Sequence, residues 1–592
     1  MKTIKKKANE ASNSLKVKKV GATQHLKSGR KKRKNDIFSS CHRTTEGTAV
    51  ATCKNEQEKY FVMLQFTTVS GSLKRICVPM DIALERNKLK SFLSNEGFPL
   101  FMIDEEIKEI HDLLKVASSP YHLFQTNGYH PVNGKTSFVL GSRIIPSNAA
   151  FVANNESEWC TASGKSEGQK ELLKNLAGSP PALLAVGMAF LAPLISILGV
   201  DSFGLLFFGR SSSGKSKLLY LATSIYGHRE KLPTWYATDN ALQEEAERNN
   251  DLFTILDEGR TCESDFKQVA KRISRLSYTL TSGVSKRRSK TYIELDRQNK
   301  NWNSLFLCTN EHSLRELSLA SETKRDAGET LRMIDIPVDY GDTPEGGRKG
   351  IFKDLPAGQQ SGARLIKKLE KSVSVDYGYL GLHYLRLLIS LINKGEKELL
   401  KQRLERYIQF FLAEEHIRGK GGYAERLALR FGLIYAALIF AAENGFVPWN
   451  NSKIFASVNE MYQRTLDYAS NPKDLMEQGI RALVNCLSDD RRVFFIKSKT
   501  VLEDVQAAYN ENKIFKRDDR YFLPSKSLIK IFGSEIKANA ALNALHDCIL
   551  NEKTANGWSA KTILSARGKN SRFRKRCIVF ERTKLLERLG LN

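Results

Sequence analysis

The stretch Gly209-Arg210-Ser211-Ser212-Ser213-Gly214-Lys215-Ser216 decides how this chain is read. Two glycines frame four residues, and a lysine and a serine follow the second. Glycine tolerates the conformations that let a loop curl with its N–H groups inward, and a helix starting at the loop's end adds the positive end of its dipole. Such a loop is built for a phosphate chain. At this spacing the lysine reaches the β- and γ-phosphates, and the serine hydroxyl ligates Mg²⁺. The nine residues 209–217, ending in Lys217, are therefore the expected cradle for ATP and Mg²⁺, with Ser216 on the metal. The flanks agree. Phe203-Gly-Leu-Leu-Phe-Phe208 is apolar enough for a buried strand, and 217–226 reads as a helix.

A second apolar run, Leu252-Phe-Thr-Ile-Leu256, ends in Asp257-Glu258. Asp257 is expected on the metal's side and Glu258 as the group that polarises the attacking water. An acidic helix cap looks the same locally. The interval of 42 residues from Lys215, however, is what one crossover and one further strand require. A third run, Ser304-Leu-Phe-Leu-Cys308, leads to Thr309-Asn310. An amide at the tip of a strand beside the phosphate loop can bond the γ-phosphate and the attacking water, a turn-forming asparagine being the alternative. Arg332, just before the apolar Met-Ile-Asp-Ile-Pro337, either completes the site of a neighbouring subunit or makes a surface ion pair. Arg426 or Arg430 is expected to approach the γ-phosphate within the same chain.

The 592 residues exceed what one core supports and suggest several domains. Lys plus Arg is 92 against 65 acidic residues, a net +27 that favours a polyanionic partner. Residues 1–34 carry +12 of it, so the body is basic in its own right. Nine scattered cysteines without a C-x-x-C pair argue for a reduced, cytoplasmic setting, and the spacing of Cys41, His42 and Cys53 fits no common zinc frame. From 175 to 200 no residue is charged, and 181–200 is apolar enough to span a bilayer. Pro193 and the strand that follows make it a helix buried under the sheet, so no membrane partner is expected.

Along the chain, 1–36 reads as a disordered basic tail, 37–170 as an α+β accessory domain with a helix at 104–117, and 171–345 as the α/β core. Helices fill 346–470, among them 399–413 and 423–442. Finally, 471–592 reads as short helices before two strands, 561–564 and 577–580, the pattern of a winged-helix domain. Between the second and third strands of the core lies a basic segment with Lys286, Arg287, Arg288 and Lys290, whose flanks can pair as a hairpin. Sequence-independent phosphate contact is one reading, a solvated loop the other. A second basic turn, with Arg572, Arg574 and Lys575, sits between the C-terminal strands.

Phe208-Gly-Arg-Ser-Ser-Ser-Gly-Lys-Ser216, Trp235-Tyr-Ala-Thr-Asp-Asn-Ala-Leu242, Leu256-Asp-Glu258 and Ile334-Asp-Ile-Pro337 together resemble the AAA+ core of proteins from phages, plasmids and genomic islands, long catalogued as a domain of unknown function. Some members, the cassette chromosome helicases, are similar to the mini-chromosome-maintenance helicases. The resemblance spans about 170–450. It implies a P-loop AAA+ sheet with a helical lid, Asn310 as sensor one, Arg332 as the arginine finger, a hairpin that reaches DNA, and a hexameric ring. The expected activity is thus an ATP-dependent helicase on single-stranded or forked DNA, serving replication of a mobile element with a replication-initiation partner. A nucleotide-switched AAA+ ATPase acting on a protein partner in signalling or defence is the alternative.

Overall fold

The computed structural model describes residues 41–55, 58–99, 103–115, 121–132, 134–147, 151–153, 159–259, 266–284, 301–320, 325, 327–414, 417, 422–470, 474–532, 535–552, 558–564 and 573–591. The basic tail 1–36, the hairpin residues Lys286, Arg287, Arg288 and Lys290, and Arg572 lie outside them.

The first part is mixed α+β. A six-stranded sheet runs in the order Leu73–Pro79, Tyr60–Thr67, Ala49–Asn55, Tyr121–Phe124, Phe151–Ala153, with His42–Arg43 paired beside Ala49–Asn55. The expected helix is Ile103–Lys115; it buries Ile103, Glu106, Ile107 and Ile110, one face at helical spacing. A second, three-stranded meander is formed by Gly128–Val132, Lys135–Leu140 and Arg143–Ile145.

The centre is a four-stranded, fully parallel sheet. Its strands in chain order are β1 (Gly204–Phe208), β2 (Phe253–Leu256), β3 (Leu305–Asn310) and β4 (Met333–Pro337), and their order in space is β2-β3-β1-β4. All residues of β1, β2 and β3 are buried, as continuous apolar runs in a sheet covered on both faces should be. The register sets Phe208 opposite both Asn310 and Pro337, and Leu256 opposite Cys308, so the four carboxyl ends lie side by side. Thr234 adds a parallel bridge to Asp257 on the outer edge.

One face of this sheet is covered by the charge-free segment. Pro180–Leu191 is a helix in which every residue is buried, continued by a 3₁₀ turn and Ile195–Leu198. Pro–Pro sits in its first turn, where a missing N–H costs nothing. The span Pro180–Leu198 is long and apolar enough to cross a membrane, and 94% of its most apolar window is buried inside this fold. It packs on the 22-residue helix Gly422–Glu443, and Gly187 permits the approach: a Cβ there would stand 2.5 Å from Ile434. The helices Ala363–Val373, Tyr379–Asn393, Lys397–Leu412, Gly422–Glu443 and Asn451–Ser470 share one continuous apolar core with the sheet, from Phe138 to Leu466. The two helices expected at 399–413 and 423–442 are Lys397–Leu412 and Gly422–Glu443.

The C-terminal part has a five-stranded sheet rather than two strands, in the order Val493–Phe495, Ile514–Arg517, Arg520–Pro524, Arg574–Glu581, Ala560–Ile563. The last two are the expected pair, antiparallel from Ala560 opposite Cys577 to Ile563 opposite Arg574. Separate apolar clusters contain Leu523, Ile578 and Phe580 on one hand and Phe522, Cys577 and Val579 on the other, as alternation across a sheet requires.

Candidate functional site

β1 delivers the chain into a loop that no ordinary backbone could follow. Gly209 has φ +156° and Gly214 φ +101°, and a Cβ on Gly214 would meet Ile366 at 2.9 Å. The loop closes onto α1 (Lys215–Ser224), of which Lys215 is the first residue. Lys215 Nζ donates to the carbonyl oxygens of Gly209 and Arg210, at 2.9 Å each. Burial pushes its ammonium below the usual lysine range, opposed by the fields of Glu311, Asp339, Asp257 and Glu258.

The acid pair stands on the next strand but one. Ser216 Oγ donates to Asp257 Oδ1 at 3.0 Å, and Thr309 Oγ1 donates to the same oxygen. Thr309 Oγ1 in turn accepts from the Glu258 N–H at 3.1 Å. Because β3 lies between β1 and β2, Thr309 and Asn310 come between the loop and the acids. Asn310 Nδ2 donates to His312 O at 2.9 Å, while its Oδ1 is buried with no hydrogen-bond partner among the described residues. Glu258 is held at φ 57°, a left-handed conformation that costs a side-chain-bearing residue about 1–2 kcal/mol. These groups line a cleft of about 680 Å³ together with Ser211, Ser212, Lys217 and Glu311. Lys217 Nζ is engaged by Glu370, at 2.7 Å.

The donor set suits a magnesium nucleotide. Mg²⁺ binds through one or two protein oxygens and completes its shell with phosphate and water. Ser216 and Asp257, with oxygens 3.0 Å apart, are the residues that would hold it, and Lys215 would meet the phosphates. The unsatisfied Asn310 Oδ1 adds a buried acceptor beside them.

Several groups that sequence reasoning did not find also hold the loop. The Arg210 guanidinium turns away from the cleft to Asp339 and Asp342. Arg348 Nη1 donates to Ser211 O at 2.8 Å, and Ile351 N donates to Ser213 O at 3.0 Å. The turn-rich stretch after β4 thus lies along the phosphate loop. Thr309 carried a weak sequence signal, a hydroxyl beside the strand-tip amide.

The three expected arginines are elsewhere. Met333 of β4 is in register with Gly204, so Arg332 sits at the amino edge of the sheet, a strand's length from the loop. There it lies over the Tyr278 ring at 4.8 Å and donates to Gly328 O at 3.3 Å. Arg430 is at the same edge, over Phe203 at 4.8 Å and bonded to Asp201 O at 3.3 Å. Burial and the charge of Arg332 lower its pKa, against the pull of Asp201. Arg426, one turn earlier and exposed, donates to Gly422 O at 2.9 Å. Within one copy Arg430 thus lies at the edge of the sheet opposite the phosphate loop, with Arg426 one turn before it on the same helix.

The bases of both basic turns are formed. Val284 bridges Asn301 in antiparallel sense, and Trp302 seals the junction, its N donating to Gly283 O at 2.8 Å and its Nε1 to Leu280 O at 2.7 Å. At the C-terminal turn Arg574 is exposed, while Lys575 Nζ lies 4.9 Å over Phe573 and 5.2 Å over Tyr509. Among the described residues no group of three or more His, Cys, Asp or Glu is arranged for a metal.

Residues 15–301 match the family described as a domain of unknown function, DUF927. The fold is similar to that of the solved "SCCmec type IV Cch - active helicase", at 16% sequence identity and a TM-score of 0.52, over 92% of this chain and 95% of that one. A second solved chain, the A form apo structure of the NrS-1 C-terminal region, aligns over 90% of this chain and 96% of its own at 11% identity; its TM-score of 0.27 is too low to bear on the fold. No curated protein matches the chain. By class this is a mixed α/β protein, built on a parallel sheet with many helices, whose fold is that of a solved helicase. The family match, over the first half of the chain, and the shared fold are both similarities to cassette chromosome helicase-like proteins.

Proposed function

We propose that the chain is an ATP-dependent DNA helicase motor of the P-loop AAA+ type, acting as a ring of identical subunits in replication of a mobile element. The observation that carries this reading is the split of the machinery between two edges of one sheet. Lys215, Ser216, Asp257, Glu258 and Asn310 meet at the carboxyl edge, while Arg332 stands at the amino edge. Arg210 and Arg348, the arginines at the loop itself, are engaged by Asp339, Asp342 and Ser211 O, so the arginine that stabilises charge on the transferring phosphoryl group is taken from a neighbouring copy. Such an arrangement closes naturally into a ring, for which a hexamer is the proposed size.

In this reading Lys215 fixes the phosphates. Ser216 and Asp257 hold Mg²⁺, which when bound draws charge from the phosphoryl oxygens. Glu258 orients and deprotonates the attacking water, and Asn310 Oδ1 fixes that water's second hydrogen. Lys286, Arg287, Arg288 and Lys290 grip the DNA backbone, and the winged-helix domain adds Arg572, Arg574 and Lys575. A cytoplasmic setting and a replication-initiation partner belong to the same proposal.

The test is the ATPase rate with and without single-stranded DNA across a salt series. Stimulation that falls steeply with salt is expected, because each phosphate contact releases a counterion. A rate indifferent to DNA at every salt concentration would leave a protein-directed switch as the better description.

A further inference from the structure

Of all the residues in the phosphate loop, Arg210 has the side chain whose contacts ATP binding does not explain. Its guanidinium makes two forked pairs: Nε to Asp339 Oδ2 at 2.5 Å and Nη2 to Asp339 Oδ1 at 3.3 Å, then Nη1 to Asp342 Oδ2 at 3.0 Å and Nη2 to Asp342 Oδ1 at 2.9 Å. Two planar forks fix the guanidinium in position and plane, a geometry that a lysine ammonium cannot reproduce. As a stabiliser of the fold such a half-exposed pair contributes little. Its consequence is local.

Asp339 stands hard against the loop. A Cβ on Gly209 would lie 3.0 Å from Asp339 Cβ, and the Asp339 carboxylate is close enough for its field to act on Lys215. Two carboxylates here would repel any polyanion entering the cleft, and Arg210 offsets one of their two charges. The carboxylates are themselves on a stiff support. Asp339 O accepts from Arg464 Nη2 at 3.1 Å, Arg464 stacks 4.1 Å over Tyr340, and Tyr340 OH bonds Glu460 at 2.7 Å. With Arg348 on Ser211 O and Ile351 N on Ser213 O, segment 339–351 also holds two of the loop's carbonyls.

We propose that Arg210 is a positioning residue of the nucleotide site: through Asp339 and Asp342 it straps the phosphate loop to segment 339–351 and offsets part of the negative charge standing behind it. This rests on the reading of the cleft as an ATP site.

The experiment compares the full chain with Arg210→Ala, Arg210→Lys, Lys215→Ala and the triple variant Arg210→Ala/Asp339→Asn/Asp342→Asn, measuring kcat and KM for Mg·ATP at two ionic strengths. Arg210→Ala is expected to raise KM about tenfold, the equivalent of ~1.4 kcal/mol, with a smaller change in kcat, and more so at low salt. Arg210→Lys should fall between it and the wild type. The triple variant should recover most of the lost affinity, because the uncompensated carboxylates are gone. A wild-type KM in Arg210→Ala, or no recovery in a triple variant that melts like the wild type, would overturn the proposal. Where Arg210→Ala fails to fold, the Arg210→Lys and triple variants decide by the same comparison. Retention of ATP affinity by Lys215→Ala would instead overturn the ATP reading itself.

Discussion

Asp257 Oδ1 accepts from two hydroxyls at once, Ser216 on α1 and Thr309 on β3, and so ties three elements to one carboxylate. Its neighbour Glu258 takes the left-handed backbone that points the chain away at the strand's end, with Gly259 packed against Asn310. Removing the Glu258 carboxylate while keeping its shape therefore separates binding from chemistry. Glu258→Gln is expected to bind ATP like the wild type and to lose on the order of 10²–10⁴ in kcat, the usual contribution of a general base. Turnover within threefold of the wild type in a steady-state ATPase assay would remove Glu258 from the reaction. The residues of this constellation were legible because each has a distinctive type at a distinctive spacing: glycines, a lysine, adjacent acids, an amide after an apolar strand. Asp339, Asp342 and Arg348 were not, since nothing in a polar, glycine-rich turn says which loop it will lie against.

At the scale of elements, apolar continuity marked β1, β2 and β3 and the long helices, because buried parallel strands and core helices leave unbroken hydrophobic runs. Short half-polar strands escaped. The hairpin Ile514–Arg517 and Arg520–Pro524 turns through Asp518 at φ 52° and Asp519 without the asparagine–glycine pair that usually advertises such a turn. The surroundings of Arg430 were hidden for a related reason: periodicity identifies a helix but not the edge of the sheet on which it docks. The charge-free helix offers a direct check. Gly187 is flush with Ile434 and Leu438, so Gly187→Leu must overpack the core, a change that costs about 1–3 kcal/mol. A lowered thermal midpoint in solution is expected for this variant. An unchanged midpoint would mean that the helix does not pack there, and a membrane location would then regain its standing.

In the whole molecule the first part is seated on the central sheet by Asn127 N on Arg248 O at 3.0 Å, Tyr129 N on Asp251 Oδ2 at 3.0 Å and Tyr129 OH on Pro193 O at 2.8 Å. The C-terminal part packs helix Glu535–Ala544 on Leu314–Ala320, the helix that follows Asn310. The first part thus meets the segment that leads into β2 and the charge-free helix, and the C-terminal part meets the helix that follows β3. If the cleft of one copy is completed by Arg332 of the next, two inactive variants must complement each other. Lys215→Ala and Arg332→Ala alone should each lose on the order of 10³ in ATPase rate, and a mixture should regain activity above either. A mixture no better than its components would place the arginine outside the reaction.

The motor stands or falls on whether the loop and its acids drive DNA unwinding. The most direct measurement is strand separation of a forked DNA substrate by the wild type and by Lys215→Ala, with Mg·ATP, at matched protein concentration. Unwinding by the wild type and none by Lys215→Ala is the predicted result; strand separation that persists in Lys215→Ala would contradict it.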